Sequence, residues 1–363
     1  MSSLKESISR HIRAHGSMSL AQYMSEALMH PTHGYYTNEQ VFGAKGDFIT
    51  APEVSQIFGE LIGLWAADLW QRAGAPSPFQ FVEMGPGRGT LMADALRATR
   101  VAPGFHAAMH LSFIEAAPQL RLRQAEALAP TGMAPSWYDG LGDVPDEGPA
   151  LILANEFFDA LPIRQYVFED GKWMERRVTL DSQDALAYTH APGHPAESCL
   201  PADPPREGDI LETCMSGISV MRVIAERLLS TGGAALIIDY GYVTPAYGDT
   251  FQALLRHRYA DPLAEPGLAD LTAHVNFAHL ARVARDLGLG VHGPVDQGAF
   301  LANLGIETRT RQLLAAATSE RQRESIAEGS RRLADARQMG TLFKAMAVTA
   351  PGWPLPAGFE GAA

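Results

Sequence analysis

Glu83-Met84-Gly85-Pro86-Gly87-Arg88-Gly89-Thr90 is the stretch of sequence that decides the fold of this chain. The run before it, Phe79-Gln80-Phe81-Val82, is typical of a buried strand, and the residues after it, Leu91-Met92-Ala93-Asp94-Ala95-Leu96, favour a helix. The alternate glycines therefore lie where a strand turns into a helix. Glycine suits this position because its backbone can turn tightly with positive φ and lets a ligand approach closely. With the free N–H groups of the helix N-terminus, the loop predicts a cofactor pocket, and a plain tight turn is the alternative.

The residues around the glycines indicate which cofactor the pocket binds. Dinucleotide-binding folds use G-x-G-x-x-G/A, and counting from Gly85 this pattern needs Gly or Ala where the chain has Thr90. Glu83 would repel a pyrophosphate but suits an ammonium group. S-adenosylmethionine has an ammonium group, a sulfonium cation, a carboxylate and a ribose, and no phosphate. We therefore expect S-adenosylmethionine to bind at Gly85, Gly87 and Gly89 with its amino group near Glu83, and a nicotinamide-dependent oxidoreductase is disfavoured.

A second acid ends the next predicted strand, Leu111-Ser112-Phe113-Ile114-Glu115. A carboxylate at this strand end can accept hydrogen bonds from ribose hydroxyls, and both types of cofactor predict one there. We therefore expect Glu115 to bind the ribose. The alternative is a solvated acid that caps the following helix.

Composition limits the size, the partners and the compartment. The chain has 363 residues, 46% of them apolar and 19% charged, which suits one domain with additions or two domains. A net charge of −12 argues against a nucleic-acid surface, and no apolar run approaches the ~18 residues of a membrane span. Cys199 and Cys214 are the only cysteines and lack metal-ligand spacing, so we expect no metal. A reducing, cytoplasmic location is expected, with mitochondrial import as the alternative.

Predicted strands alternate with helices over much of the chain. Apolar strands are predicted at 149–154, 234–239 and 342–348, and a helix over 210–228 precedes the second of them. A hairpin turn is predicted at Asp170-Gly171. Because a helix that leads into a parallel strand is typical of doubly wound sheets, we predict an α/β fold with a doubly wound sheet.

Acidic residues follow the strand at 149–154, in Asn155-Glu156-Phe157-Phe158-Asp159-Ala160-Leu161-Pro162. Ligands bind at the carboxyl ends of parallel strands, so these residues should face the same crevice as the glycines. Glu156 and Asp159 are three residues apart, and on a helical turn both carboxylates would project to one side. They could bind an arginine guanidinium and receive the proton released by methyl transfer. The alternative is a cap at Asn155 followed by a solvated first turn.

Seven motifs together resemble those of the MidA family of class I S-adenosylmethionine-dependent methyltransferases. They span almost the whole chain: Gly34-Tyr35-Tyr36, 46–50 with 52–56, 83–90, 154–162, Asp239-Tyr240-Gly241, 270–277 and Gly340-Thr341-Leu342-Phe343-Lys344. The resemblance implies a seven-stranded sheet with an N-terminal helical extension and an inserted lobe. It also implies methylation of an arginine on a subunit of respiratory complex I. Asn276 departs from the acid expected in the family, which suggests a structural, helix-capping role.

The resemblance also implies further site residues. Asp47 and Phe48 would close the cofactor pocket, or else form a simple loop into the next helix, and Asn155 is added to the cofactor-binding set. His274 could contact the acceptor or the cofactor, with a structural histidine as the alternative. The catalytic candidates are thus Glu156, Asp159 and His274, and His257 and Arg258 are further candidates.

The predicted organisation is an extension over 1–75, a methyltransferase domain over 76–348 with an inserted lobe at 164–208 and 250–275, and a disordered tail over 349–363. We expect a protein substrate, no nucleic acid and no membrane insertion. The oligomeric state stays open, with a homodimer as one option. A noncatalytic assembly factor that keeps the fold is the alternative to an enzyme.

Overall fold

The computed structural model describes residues 3–37 and 50–360. Two compact units make up the chain, each formed from three segments. The smaller unit contains Met1–Phe48, Asp159–Ser219 and Tyr242–His279, and the larger unit contains Ile49–Phe158, Val220–Gly241 and Leu280–Ala363. The segment predicted as an N-terminal extension, 1–75, is divided between the units, whereas both parts of the predicted inserted lobe fall in the smaller unit.

Helices occur along the whole described chain. The α-helices are α1 Leu4–His15, α2 Leu20–Met29, α3 Ala51–Val54, α4 Gln56–Arg72, α5 Thr90–Thr99, α6 Phe105–Ala108, α7 Pro118–Leu128, α8 Met215–Thr231, α9 Phe277–Asp286, α10 Gln297–Asn303, α11 Ile306–Ala316, α12 Glu320–Ala334 and α13 Met339–Leu342. Short 3₁₀ turns lie at Tyr35–Thr37, Ala129–Thr131, Leu141–Asp143 and Glu197–Cys199.

The strands alternate with these helices. They are β1 Met18–Ser19, β2 Phe79–Met84, β3 Met109–Ile114, β4 Ser136–Tyr138, β5 Ala150–Asn155, β6 Arg164–Glu169, β7 Lys172–Leu180, β8 Leu186–Pro192, β9 Ile210–Thr213, β10 Gly233–Tyr242, β11 Gln252–Leu255, β12 Arg258–Ala260, β13 Asp270–Thr272, β14 Val275–Asn276, β15 Gly290–Asp296 and β16 Phe343–Thr349.

The larger unit is built on a mixed sheet, in which seven of the eight described strands follow the order β15-β16-β10-β5-β2-β3-β4. The five strands from β10 to β4 are parallel to their neighbours, and β16 and β15 add antiparallel pairs at one side. Strand order reverses beside β2, and ligands bind at such a switch point in open α/β sheets. The predicted α/β fold is confirmed.

Close helix packing supports the sheet near this switch point. A side chain at Gly63 of α4 would place its Cβ 2.6 Å from the Cα of Ala95 in α5, and one at Gly59 would lie 2.7 Å from the Cβ of Asp94. Only glycine lets the two helices approach this closely. Helix α5 begins directly after the glycine loop, so this packing fixes the position of the loop.

The smaller unit contains two sheets with a separate apolar core. One sheet has the order β1-β7-β6-β9 with β8 beside β7, and the other has the order β12-β11-β13. Asp170 and Gly171 form the turn between β6 and β7 with φ of 49° and 72°, which confirms the predicted hairpin. Helices α1 and α2 contribute Leu4, Ile8 and Tyr23 to its core.

Two segments differ from their predictions. Residues 210–213 form strand β9, which pairs with β6, and helix begins only at Met215. The apolar spacing from Ile210 fitted a helix, but pairing with an available strand edge overrides that local preference. The predicted disorder after 349 is also wrong for the described part of this segment, since Phe359 is 2% exposed and its ring centroid lies 5.0 Å from that of Phe300.

Candidate active site

The glycine loop joins β2 to α5 in the larger unit, and its three glycines have different surroundings. Gly85, Gly87 and Gly89 have φ of 62°, 52° and 80°, so all three adopt the left-handed conformation. A Cβ at Gly85 would lie 2.9 Å from a ring atom of Phe157, and one at Gly89 would lie 3.3 Å from the Cα of Gln124. A Cβ at Gly87 would meet no atom of the described residues within 4 Å. Gly87 is therefore the position where a ligand can approach the loop.

Glu83 lies on β2, two residues before the first glycine, and is 3% exposed. Burial raises the pKa of its carboxyl group to about 8. Within the described residues its Oε2 atom is buried and has no hydrogen-bond partner. A buried carboxylate needs a cation or donors to compensate its lost hydration, and the ammonium group of S-adenosylmethionine would supply both. The residues present therefore fit this cofactor.

Glu115 is buried directly after β3, and both of its carboxylate oxygens accept hydrogen bonds. Its Oε1 accepts from the backbone N–H of Ala117 at 2.8 Å, and its Oε2 accepts from Nε2 of Gln124 at 3.0 Å. Burial raises the pKa of Glu115, while these hydrogen bonds and the charge of Arg121 reduce the shift. The hydrogen bond from Ala117 is typical of an acid that caps the following helix. The Glu115 carboxylate is buried, however, and not solvated as that alternative expects.

Gln124 was not among the predicted site residues. It lies on the buried face of α7 between Leu120 and Leu128, four residues from each. Its Nε2 also donates to the carbonyl oxygen of Gly87 at 2.9 Å. A polar residue inside an apolar stripe is the sequence signal that could have identified it, because a buried amide needs hydrogen-bond partners.

The acidic segment after β5 contains no helix. Residues 156–162 form bends and a turn, and Glu156 has a φ of +49°, which is unusual for a residue with a side chain. The expectation that a helical turn aligns the carboxylates of Glu156 and Asp159 is therefore wrong. Strained backbone of this kind clusters at functional sites.

Backbone and amide donors hold the Glu156 carboxylate in the larger unit. Its Oε1 accepts from the N–H of Ala51 at 2.9 Å and from Nδ2 of Asn155 at 3.3 Å. The Oδ1 atom of Asn155 is buried, and no described residue donates a hydrogen bond to it. Asn155 thus has an acceptor available for a ligand at the carboxyl end of β5.

Asp239, at the carboxyl end of the neighbouring strand β10, supports the same segment. It is fully buried, and its carboxylate accepts from the N–H of Phe158 at 3.0 Å and from that of Tyr240 at 2.9 Å. The sequence analysis predicts no separate role for Asp239, which is part of the motif Asp239-Tyr240-Gly241. The role of Asp239 is to hold the backbone after Glu156. The sequence signal for this role is an acid at the end of an otherwise apolar strand.

Asp159 belongs to the smaller unit and is buried there. Its carbonyl oxygen accepts from the N–H of Ala273 at 3.0 Å. In the same unit the Tyr36 hydroxyl donates to Oδ1 of Asp270 at 3.1 Å. Burial, followed by the charges of Asp270 and Asp159, raises the pKa of Tyr36 well above its usual value. Tyr36 therefore stays a proton donor beside these acids.

The histidine candidates of the smaller unit have different surroundings. The backbone N–H of His274 donates to Oγ1 of Thr250 at 2.9 Å, and burial lowers the pKa of its ring, which favours the neutral form. His257 has a φ of 62° in the exposed turn between β11 and β12, and Arg258 is exposed beside it. Asn276 accepts from the N–H of His279 at 3.0 Å and thereby caps α9.

Asp47 and Phe48 lie outside the described residues. Within 3–37 and 50–360, no group of three or more His, Cys, Asp or Glu side chains is placed to hold a metal ion. Over the same ranges, no helix is long and apolar enough to cross a membrane.

The glycine loop, the buried acid before it and the acid after the next strand define a class I S-adenosylmethionine-dependent methyltransferase. Comparison with known proteins agrees. Residues 61–295 match the model of a family described as "Putative S-adenosyl-L-methionine-dependent methyltransferase". The chain belongs to this family.

Relatives with names and structures resemble the chain over almost its whole length. It is 40% identical to the Drosophila melanogaster "Protein arginine methyltransferase NDUFAF7 homolog, mitochondrial", covering 95% of this chain and 84% of the relative. It is 36% identical to the Homo sapiens "Protein arginine methyltransferase NDUFAF7, mitochondrial", covering 93% and 81%. A crystal structure from Burkholderia thailandensis bound to S-adenosyl-homocysteine superposes with a TM-score of 0.83 at 27% identity, covering 99% and 93%. The predicted fold, cofactor and enzyme class are confirmed.

The expected cytoplasmic location is wrong, because the curated relatives named above are mitochondrial proteins. The expectation came from the small number of cysteines. Few cysteines indicate a reducing environment, and this property does not separate the cytoplasm from the interior of a mitochondrion.

Proposed function

We propose that this enzyme methylates an arginine side chain of a protein, and that the acceptor is a subunit of respiratory complex I. The observation that carries the proposal is the full-length similarity, at 36% and 40% identity, to relatives named protein arginine methyltransferases. The complex I acceptor follows from the resemblance to the MidA family. The net charge of the whole chain, −12, also suits a basic acceptor segment.

The cofactor, when bound, supplies a methyl group on a sulfonium cation. In the proposed arrangement the Glu83 carboxylate binds the ammonium group of the cofactor, and Gly87 leaves room for it. Glu115 accepts hydrogen bonds from the ribose hydroxyls, and Oδ1 of Asn155 accepts a further hydrogen bond. Glu83 and Asn155 each have a buried oxygen that accepts no hydrogen bond from the residues at 3–37 and 50–360, and this supports these roles.

Glu156 is proposed to bind the acceptor guanidinium. A guanidinium is protonated at ordinary pH and matches a carboxylate with parallel N–H donors. Because Ala51 and Asn155 donate to Oε1 of Glu156, the carboxylate is held in one orientation. It can therefore align the attacking nitrogen and receive the proton that methylation releases. Asp159 and His274 stay predicted contributors from the smaller unit.

Transfer from labelled cofactor tests the proposal. The purified enzyme is incubated with methyl-labelled S-adenosylmethionine and the purified peripheral arm of complex I from the same source, and the label is mapped by mass spectrometry. We expect label on an arginine of one subunit. Label on another residue type would contradict arginine methylation. Cofactor binding with no transfer to any subunit would favour a noncatalytic assembly factor.

A further inference from the structure

Gln124 connects the two parts of the proposed cofactor site in the larger unit. Its side chain is fully buried. The amide nitrogen donates to the carbonyl oxygen of Gly87 at 2.9 Å and to Oε2 of Glu115 at 3.0 Å, while the amide oxygen accepts from the indole N–H of Trp137 at 2.7 Å. One side chain therefore holds both the glycine loop and the acid proposed to bind ribose.

Trp137 determines the orientation of this amide. An indole N–H can donate a hydrogen bond but cannot accept one. The oxygen of the Gln124 amide must therefore face Trp137, and its nitrogen must face Gly87 and Glu115. The nitrogen carries two hydrogens, and each has one acceptor at hydrogen-bond distance. A flipped amide would lose three hydrogen bonds, so a single arrangement is favoured.

This arrangement acts on the Glu115 carboxylate. Hydrogen bonds donated to a carboxylate favour its ionised form, and here they counter the effect of burial. The charge of Arg121 also acts on Glu115: its Nε donates to the Glu115 carbonyl oxygen at 2.8 Å, and its guanidinium pairs with Asp139 at 2.6 Å. Arg121 contacts the backbone oxygen rather than the carboxylate, so Gln124 is the side chain that orients the carboxylate.

The Gly87 peptide is the second target of Gln124. Gly87 has space for a ligand, and glycine loses more conformational freedom on ordering than other residues. A hydrogen bond from the rigidly packed helix α7 to its carbonyl oxygen restricts that freedom before a ligand binds. Preorganisation of this kind increases affinity because less ordering is left for the binding step.

We propose that Gln124 is a positioning residue of the cofactor site, which orders the Gly87 peptide and orients the Glu115 carboxylate toward the cofactor. The proposal rests on the assignment of Glu115 and the glycine loop to S-adenosylmethionine. It extends that assignment to a residue that need not touch the cofactor.

The Gln124→Met substitution tests the role, because methionine has a similar volume and no donor. Gln119→Met is the matched control, since Gln119 is exposed on the same helix. We expect Gln124→Met to weaken S-adenosyl-homocysteine binding about tenfold or more by calorimetry. The part of the affinity loss on acidification that comes from protonation of Glu115 should move to a higher pH than in the wild type, because the Gln124 bond no longer lowers the pKa of Glu115. Without cofactor, hydrogen exchange at 84–91 should become faster. The control should change none of these.

Unchanged affinity, pH profile and loop exchange in Gln124→Met, with normal binding by the wild type, would overturn this inference alone. No binding by the wild type would overturn the cofactor assignment and this inference with it. If Gln124→Met does not fold, the same measurements are made on Trp137→Phe. This variant keeps Gln124 but lacks the indole N–H that orients its amide. Weaker binding with faster loop exchange in that variant supports the role, and wild-type behaviour overturns it.

Discussion

At the scale of single residues, the three loop glycines share a conformation but differ in what surrounds them. Phe157 crowds Gly85 and helix α7 crowds Gly89, while Gly87 is open. The sequence motif predicts positive φ at all three positions, and the structure agrees. Which glycine has open space could not be predicted, because it depends on α7 and on Phe157, both distant from the loop in sequence.

We predict that Gly87→Val abolishes cofactor binding, with affinity at least about 100-fold lower, or about 2.8 kcal/mol. The valine side chain would occupy the open space at the loop. Gly132→Val is the control, because Gly132 has a φ of +78° and open space but lies outside the loop. Both variants should lose similar stability from left-handed strain, roughly 1–2 kcal/mol. Calorimetric titration in which Gly87→Val binds as well as Gly132→Val would exclude the loop as cofactor site.

The pKa of Glu83 predicts proton release when cofactor binds. With a pKa of about 8, the buried carboxyl group is mostly protonated at roughly neutral pH, and a bound ammonium group favours its ionised form. Affinity should therefore increase as the pH rises toward the pKa of Glu83. Titrations in buffers of different ionisation enthalpy should show proton release that Glu83→Gln removes. Equal proton release in the variant would assign the proton to another group.

The same shift has an effect on folding stability with a defined sign. Folding raises the pKa of Glu83. Its contribution to folding stability is therefore fully present when the pH is below the pKa of Glu83 in the unfolded chain, and it is lost as the pH rises through the folded-state pKa of about 8. Because of the raised pKa of Glu83, cofactor-free protein should be more stable in mildly acidic than in alkaline buffer.

At the scale of elements, the sequence predicted the apolar strands well but not every segment between them. Burial on both faces of β2, β5 and β10 produces continuous apolar runs that are easy to recognise. The residues of strand β9 were predicted as helix, because the apolar pattern of a four-residue segment fits a helix as well as a strand. The turn after β5 was predicted as helical. Instead the Ala51 N–H donates to the Glu156 side chain, the Phe158 N–H donates to the Asp239 carboxylate, and these bonds with distant residues impose another backbone path.

Glu60 of α4 provides a test of packing between helices. It is 2% exposed, and its carboxylate accepts hydrogen bonds from Arg97 of α5 at 2.9 Å and from Arg309 of α11 at 2.7 Å. Although burial raises its pKa, the two arginines lower the pKa overall. The Glu60 carboxylate therefore stabilises the fold when the pH is above its pKa in the unfolded chain. This contribution is lost as the pH falls through its lower pKa in the folded protein.

We predict that Glu60→Gln reduces the free energy of unfolding by about 1.5–3 kcal/mol at neutral pH, because charge-assisted hydrogen bonds are lost. Asp68→Asn is the control on the same helix. Its carboxylate pairs with Arg72 at 2.6 Å but is 47% exposed, so it should cost about 0–1 kcal/mol. Urea denaturation measures both. Equal effects for the two variants would show that Glu60 does not link the helices.

At the scale of the whole molecule, the chain places its sequence motifs in two units. The larger unit holds Glu83, the glycine loop, Glu115 and Glu156, and the smaller unit holds Asp159 and His274. The cofactor-binding residues could be proposed from the sequence because one loop and two strand ends carry them. The acceptor-binding candidates could not be proposed from one motif, since they come from separate segments of the chain.

The central claim is that this chain transfers a methyl group to a protein arginine with Glu156 as an acceptor-binding group. Glu156→Gln tests it most directly, because glutamine keeps an oxygen for the N–H of Ala51 but loses the charge. Cofactor affinity by calorimetry and labelled methyl transfer to the complex I arm are measured on the same preparations. We expect the variant to bind cofactor within about threefold of the wild-type affinity and to transfer methyl groups at least about 100-fold more slowly. Transfer at the wild-type rate, with intact cofactor binding, would contradict it.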